Sequence, residues 1–321
     1  MNINQKSSRF VHKLETHFHK NNITNSEYLL IKRECKNAPL GLFAYYITNL
    51  AWIEYALRNG YIPVIDMKNY ANTFHKENEV GKINTYEYFF EQPCNISVDE
   101  ALKSGKARYI WKDIPDFHPN ESLDFLYNED IVNYYHRLAK KYVRFSPKTQ
   151  KYLEEVRNNV FRKCSSNEKI LGILARGTDY TTLKPYYHPI QPDVNSIIEK
   201  VNEYKEKYNC QKIYVATEDA GILEQLIKVY GNDLLYTNQK RITATDTFLN
   251  FNKEFTARTP EQRGLDNLAS IYCLSLCNGI IAGRTSGTVG AVLLAEQYEF
   301  KYIFSIGRYG VDDTIIEKEL V

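Results

Sequence analysis

The stretch EKILGILARGTDYTTLKPYYHPIQPD, residues 168–193, sets the reading of this chain. Its opening, KILGILA (169–175), is short and apolar, with Ile170 and Ile173 favouring the strand conformation, as suits a buried strand. The run stops abruptly at Arg176, Gly177, Thr178 and Asp179. A strand that delivers a cation and an acid at its tip, with glycine between them, points to a site at the sheet edge.

Outward from this strand, helical and strand patterns alternate. Val194, Ile197, Ile198, Val201 and Tyr208 recur at helical spacing behind Pro192, which suits a helix start. QKIYVAT (211–217) is the next strand, and EDAGILEQLIKVYG the next helix, with Gly231 as its C-terminal cap. DLLYT is a third strand, followed by a polar loop of about twenty residues, long enough to suggest a function. Thr259-Pro260-Glu261-Gln262 predicts a capping box with proline at the first helical position. NGIIAG, GTVGAVLLAEQ and KYIFSIG complete the pattern as strand, helix and strand. Such alternation predicts a doubly wound parallel sheet with all strand C-termini on one edge, where ligands bind.

Three polar clusters are therefore expected on that edge: Arg176 and Asp179, then Glu218 and Asp219, then Arg284 to Thr288. In GRTSGTVG (283–290), small residues allow close backbone approach. The hydroxyls of Thr285, Ser286 and Thr288, Gly287 and the helix-start N–H groups suit phosphate oxygens. The alternative is a plain strand-to-helix turn, since neither a Walker loop nor a GxGxxG fingerprint is present. Arg176 supplies a permanent forked cation for a diphosphate, the alternative being an ion pair with Asp179 or Glu218. Asp179, a catalytic candidate with Arg176, orients that arginine or caps the next turn, direct base work being the other alternative; Asp219 by itself reads as a helix N-cap. His188 sits in a segment stiffened by Pro185, Pro189 and Pro192, where it either meets a ligand or packs in a rigid turn.

Bulk properties narrow the class. The 321 residues suffice for two domains, with 43% hydrophobic and 25% charged residues. Lys and Arg total 41 against 39 Asp and Glu, so a net charge of +2 argues against nucleic acid as the main ligand. Cys35, Cys94, Cys164, Cys210, Cys273 and Cys277 show no paired metal spacing and read as reduced, buried thiols of a cytoplasmic protein. LGLFAYYITNLAWIEYAL is too polar to span a bilayer, which leaves contact with the inner membrane face open. No metal or other cofactor is expected, and Glu218-Asp219 is not assigned as a metal pair.

These clusters together resemble the three motifs of the fucosyltransferase superfamily that includes α1,6-, nodulation-factor and protein O-fucosyltransferases. GILARGTDY resembles the first, usually His-x-Arg-x-x-Asp; Leu174 replaces the histidine while Arg176 and Asp179 match. IYVATED resembles the second, with Glu218 and Asp219 at its acidic pair, and IIAGRTSGTVGAVLLAE the third. Ser270 stands where the family often has an aspartate, with Asp266 one turn earlier. RGTDY…KP…HP…QP resembles the bacterial capsule-type enzymes of this superfamily. LGLFAYYITNLAWIEYALRNGYIPVID is similar to the family's opening unit.

The resemblance implies two Rossmann-like domains facing a cleft, of the GT-B type. The expected division is 1–160 for the acceptor side and 161–321 for the nucleotide-sugar side. It implies transfer from GDP-fucose to a glycan, with inversion and without metal. Arg176 would bind the β-phosphate, Thr285 and Ser286 phosphate oxygens, and Asp219 the nucleotide. The two departures keep another donor, GDP-mannose or a heptose nucleotide, and a noncatalytic nucleotide-sugar-binding module as alternatives.

In the N-terminal half, YIPVID reads as a strand, and Phe43, Tyr46, Ile47, Leu50, Ile53 and Leu57 as one buried helix face. NTYEYFFEQP and ARYIWKD are aromatic-rich and suit a helix and a strand. FSPKTQKYLEEVRNNVF (145–161) predicts a helix leading between the domains. As a base for the acceptor hydroxyl, Glu54 and Asp66 are candidates, with an exposed helix face the expected setting for Glu54.

Overall fold

The computed structural model describes residues 27–34, 40–117, 119, 123–243 and 252–311. The chain divides into two units, Met1–Thr149 and Gln150–Val321. The division falls inside the helix Pro147–Phe161, whose start is fixed by the Ser146 hydroxyl accepting from Thr149 N at 3.3 Å.

The first unit holds a three-stranded parallel sheet in the order β2-β1-β3. β1 is Tyr28–Ile31, β2 Ile62–Ile65 and β3 Ala107–Tyr109. Tyr28 lies opposite both Ile62 and Ala107. Helix α1, Leu42–Arg58, links β1 to β2 and packs on both. Helix α2, Val98–Lys103, opens with a complete capping box between Ser97 and Glu100. It covers the other face, where Val98 and Ala101 meet Leu30 and Val64.

α1 departs from expectation. It is buried on nearly every side, and only Ala44, Tyr55 and Arg58 escape. Helix α3, Glu129–Tyr142, packs against it, as do rings from the irregular segment after β2, such as Phe74 on Tyr45 and Phe90 on Tyr46. Glu54 is consequently 5% exposed rather than on an open face. Its carboxylate accepts from the hydroxyls of Tyr134 at 2.8 Å and Tyr135 at 2.9 Å and pairs with Arg58 at 2.5 Å.

The second unit carries the expected doubly wound parallel sheet, in the order β6-β5-β4-β7-β8. β4 is Ile170–Leu174, β5 Lys212–Ala216, β6 Leu234–Leu235, β7 Gly279–Ala282 and β8 Phe300–Ile303. The predicted third strand is thus only two residues long. Leu174 faces Ala216 on one side and Ala282 on the other. Ile197 and Val201 of the helix Val194–Lys207 and Leu223 and Leu226 of Ala220–Tyr230 cover one face, against Ile173, Val215 and Ile281. Helix Pro260–Ser275 covers the other, and Tyr214 donates its hydroxyl to Ser270 O at 2.9 Å. The apolar stripes of these helices match the two sheet faces, and their burial drives the assembly.

The expected capping box at Thr259 is half realised. Thr259 Oγ1 accepts from Gln262 N at 3.2 Å, while the Gln262 amide donates to Asp266 Oδ1 at 2.7 Å. Cys210, Cys273 and Cys277 are buried thiols; Cys94 and Cys164 are only half-buried, and Cys35 lies outside the described residues. Burial pushes the Cys273 thiol up to about 12, as for an inert packing group.

Candidate active site

From β4 the chain runs to β5 and β6 on one side, then returns to β7 and β8 on the other. The strand order therefore reverses beside β4, and the crevice at its C-terminal end is where such sheets take ligands. Arg176 lies two residues beyond Leu174, and Arg284 two residues beyond Ala282, on strands in direct register. Glu218 lies two residues beyond Ala216 on the other neighbour. Three strands thus bring the three sequence clusters together at one rim.

The first two clusters are tied to each other. Arg176 Nη1 pairs with Glu218 Oε1 at 2.9 Å, and the guanidinium lies 5.0 Å from the Tyr180 ring centre. The same Glu218 oxygen accepts from Gly177 N at 3.2 Å and Thr178 Oγ1 at 3.3 Å. Asp219, 6% exposed, caps the helix Ala220–Tyr230 by accepting from Ile222 N at 3.0 Å. Its other oxygen accepts from Thr178 N at 2.8 Å. The N-cap reading of Asp219 therefore holds, and the residue also anchors the turn that carries Arg176.

Gly177 is the consequence of that anchoring. A Cβ there would lie 2.5 Å from Asp219 Oδ2 and 2.7 Å from Ile222 Cδ1. Thr178, fully buried, adopts φ 51°, a conformation that costs a non-glycine residue about 1–3 kcal/mol unless its surroundings enforce it. Asp179 opens the short helix Asp179–Leu183; its side chain lies outside the described residues.

The third cluster forms a loop and helix start. Thr285 is extended at φ −146° and caps Ser286–Leu294, its Oγ1 accepting from Thr288 N at 3.1 Å. Thr288 is fully buried, and its hydroxyl donates to Gly283 O at 2.5 Å. Thr288 thus shapes the loop from inside, while Thr285, Ser286 and Gly287 are half-buried at its surface. The helix start adds partial positive charge there.

His188 stands in the segment after Arg176. It is exposed, its ring edge-on to Tyr180 at 5.3 Å and its Nδ1 3.2 Å from Tyr186 O. Through Tyr180, this loop continues from Arg176.

Two residues without an assigned role also build the rim. Gln191, 6% exposed, donates from Nε2 to Pro189 O at 3.0 Å and Arg284 O at 3.1 Å, joining the His188 segment to the third cluster. Its position in the proline-rich run was the sequence signal. Arg241 begins the long loop after β6 and donates to the carbonyls of Thr217, Thr237 and Gln239. Burial pulls its guanidinium below the usual arginine range. The next residue, Ile242, donates its N–H to Glu218 O at 3.0 Å, so this loop start is fastened to the acidic pair. Nothing in the sequence pattern signalled that pairing.

Asp266, considered as a stand-in for the acid absent at Ser270, already has partners. It accepts from Tyr152 Oη at 2.9 Å and Gln262 Nε2 and forms an ion pair with Arg258. Burial, reinforced by Asp266, pushes the Tyr152 hydroxyl up to about 12. Among the described residues, no three His, Cys, Asp or Glu side chains gather in a metal-binding set.

No protein-family model and no curated protein matches this sequence. Solved structures do match in fold. A NodZ alpha-1,6-fucosyltransferase soaked with GDP-fucose superposes with TM-score 0.53 at 16% identity, over 89% of this chain and 98% of that one. Fucosyltransferase NodZ from Bradyrhizobium gives 0.51 at 15% identity, over 84% and 94%. An Arabidopsis thaliana FUT1 variant in complex with GDP gives 0.52 at 11% identity, over 98% and 81%. This chain has the fold of these fucosyltransferases. The fucosyltransferase fold accounts for the two α/β units with parallel sheets described above.

Proposed function

We propose that this protein is a glycosyltransferase that moves fucose from GDP-fucose to a glycan acceptor, with inversion at the sugar carbon and without a metal ion. One observation carries the reading: Arg176, the acidic pair and the Thr285 helix start occupy neighbouring strand ends at the reversal point of a fucosyltransferase-fold sheet. The structures of like fold, one soaked with GDP-fucose and one in complex with GDP, add weight to the choice of donor.

In this reading Arg176 offers its fork to the β-phosphate, held in place by Glu218. Thr285, Ser286 and Gly287 offer hydroxyl and backbone N–H donors to the phosphate oxygens. As the sugar–phosphate bond breaks, negative charge grows on the leaving GDP. A guanidinium and a helix start already aimed at that charge lower the barrier without reorganising. Asp219 acts by holding the Arg176 turn, and His188 lies where donor or acceptor passes. The N-terminal unit serves the acceptor and the C-terminal unit the nucleotide sugar. Glu54 and Asp66 both have protein partners for their carboxylates, so the reaction is driven by departure of GDP more than by either as base. The membrane-face location and capsule-type acceptor belong to the same proposal.

Calorimetry with GDP tests the reading. Wild-type protein binds GDP, and Arg176→Ala weakens binding about 10- to 100-fold, as loss of charge-assisted hydrogen bonds worth roughly 1.5–3 kcal/mol requires. Unchanged GDP affinity in the folded variant would remove Arg176 from the site. A thermal-shift panel of GDP-fucose, GDP-mannose and heptose nucleotides selects the donor, since only a true ligand stabilises the native state.

A further inference from the structure

Residues 184–190 form an arm of unusual construction. Lys184 and Tyr187 both hold positive φ, 46° and 66°, without being glycine. The arm pairs with residues 307–309: Tyr187 N donates to Tyr309 O and Tyr309 N to His188 O, both at 2.9 Å, and Ile190 N to Gly307 O at 3.0 Å. Arg308, 5% exposed, donates to Tyr187 O at 3.2 Å and lies 4.5 Å from the Tyr187 ring centre. Strain and a buried arginine persist in a surface loop only when neighbouring structure enforces them, and such enforcement clusters at functional sites.

What this construction displays is two tyrosines. Tyr186 is 74% exposed and Tyr187 44%, with ring centres 6.2 Å apart and planes 39° from parallel. Tyr186 lies over Gly310, where a Cβ would come within 2.7 Å of the ring. The neighbouring His188 contacts Tyr180, which in turn lies under Arg176, so the rings are continuous with the candidate site.

We infer that Tyr186 and Tyr187 form a carbohydrate-stacking platform that holds a sugar ring of the acceptor beside the transfer centre. A pyranose has an apolar face of C–H groups and a rim of hydroxyls. Tyrosine matches both, with an apolar ring face and a phenolic hydroxyl. A protein partner is a poorer fit, since a stable interface buries about 800 Å² per side and two rings offer far less apolar area. Rings fixed before binding cost little ordering entropy, which is what the strained, bridged backbone provides. This inference rests on the transferase reading, and it adds an acceptor contact on the nucleotide-sugar unit to the acceptor role proposed for the N-terminal unit.

The test pairs a glycan array with GDP calorimetry on full-length protein. Wild type retains a subset of the arrayed glycans; Tyr186→Ala loses those glycans by about tenfold, the scale of one aromatic contact. Tyr186→Phe keeps them, and both variants bind GDP as wild type does. Three results overturn the inference: equal glycan binding by Tyr186→Ala, no glycan held by wild type, or weakened GDP binding by Tyr186→Ala, which would assign the ring to the donor. Wild type that holds glycans but not GDP would count against the donor reading while supporting the platform.

Discussion

Two acidic side chains that follow parallel strands meet opposite fates in this molecule. Asp66, after β2 in the first unit, is fully buried and accepts from Lys68 N, Asn69 N, Asn69 Nδ2 and the Tyr109 hydroxyl at 2.7–3.0 Å. Glu218, after β5 in the second, keeps its side chain 20% exposed and pairs with the Arg176 guanidinium at 2.9 Å. The contrast extends to Glu54, enclosed by two tyrosines and Arg58. Asp66 and Glu54 complete the interior of the first unit, while Glu218 organises a partly open rim of the second. A strand-end acid can meet a ligand directly only where its neighbours leave part of it open.

The comparison breaks most visibly at Glu54. Glu54→Ala leaves two buried phenols and one guanidinium without their shared acceptor, and a loss of about 3 kcal/mol is expected in urea denaturation. Retained stability would show that the first unit does not depend on its enclosed acids. The matching change in the second unit, Arg176→Ala, breaks a partly exposed ion pair and is expected to lower the unfolding free energy by only about 1 kcal/mol or less. Its effect appears in GDP binding.

Gly177→Ala sharpens the point between these extremes. The added methyl meets Asp219 and Ile222 and costs about 1–3 kcal/mol. Because the turn must move, GDP affinity falls with stability, a coupling that calorimetry and denaturation measured on the same variant will show. Independent responses would mean that Asp219 does not anchor the Arg176 turn.

The smallest effect is alkaline. Burial, with hydrogen bonding to Asp66, pushes the Tyr109 hydroxyl up to about 12, and burial with Asp266 does the same for Tyr152. Both raised groups keep their protons in the folded state after the unfolded chain begins to ionise near 10. Their stabilisation is complete below that pH and is lost as pH rises toward 12. Circular dichroism melts between these limits should show a falling midpoint, less steep in Tyr152→Phe. An unaltered slope in that variant would remove Tyr152 from the linkage.

The second unit was legible along the chain because its strands and helices are contiguous and regularly spaced. Each local period matched the surface it later covered, from Ile197 and Val201 to Leu223 and Leu226. The strand ends carrying Arg176, Glu218 and Thr285 followed from parallel connectivity. The first unit read less clearly. YLLI at β1 is only four residues long, and α3 was not foreseen, although its Asn128 cap accepts from Ile131 N at 3.2 Å. α1 offered one apolar face by spacing, yet α3 and distant rings buried the rest.

Sequence alone determined the α/β class, the parallel order of events along the second unit and the residue types at its strand ends, because hydrophobic period and turn chemistry are local properties. Only tertiary structure decided that Glu54 is enclosed, that Thr288 faces inward and that Arg308 underlies Tyr187. Those outcomes depend on which remote groups arrive at each side chain, and such encounters leave no mark on neighbouring residues in the chain.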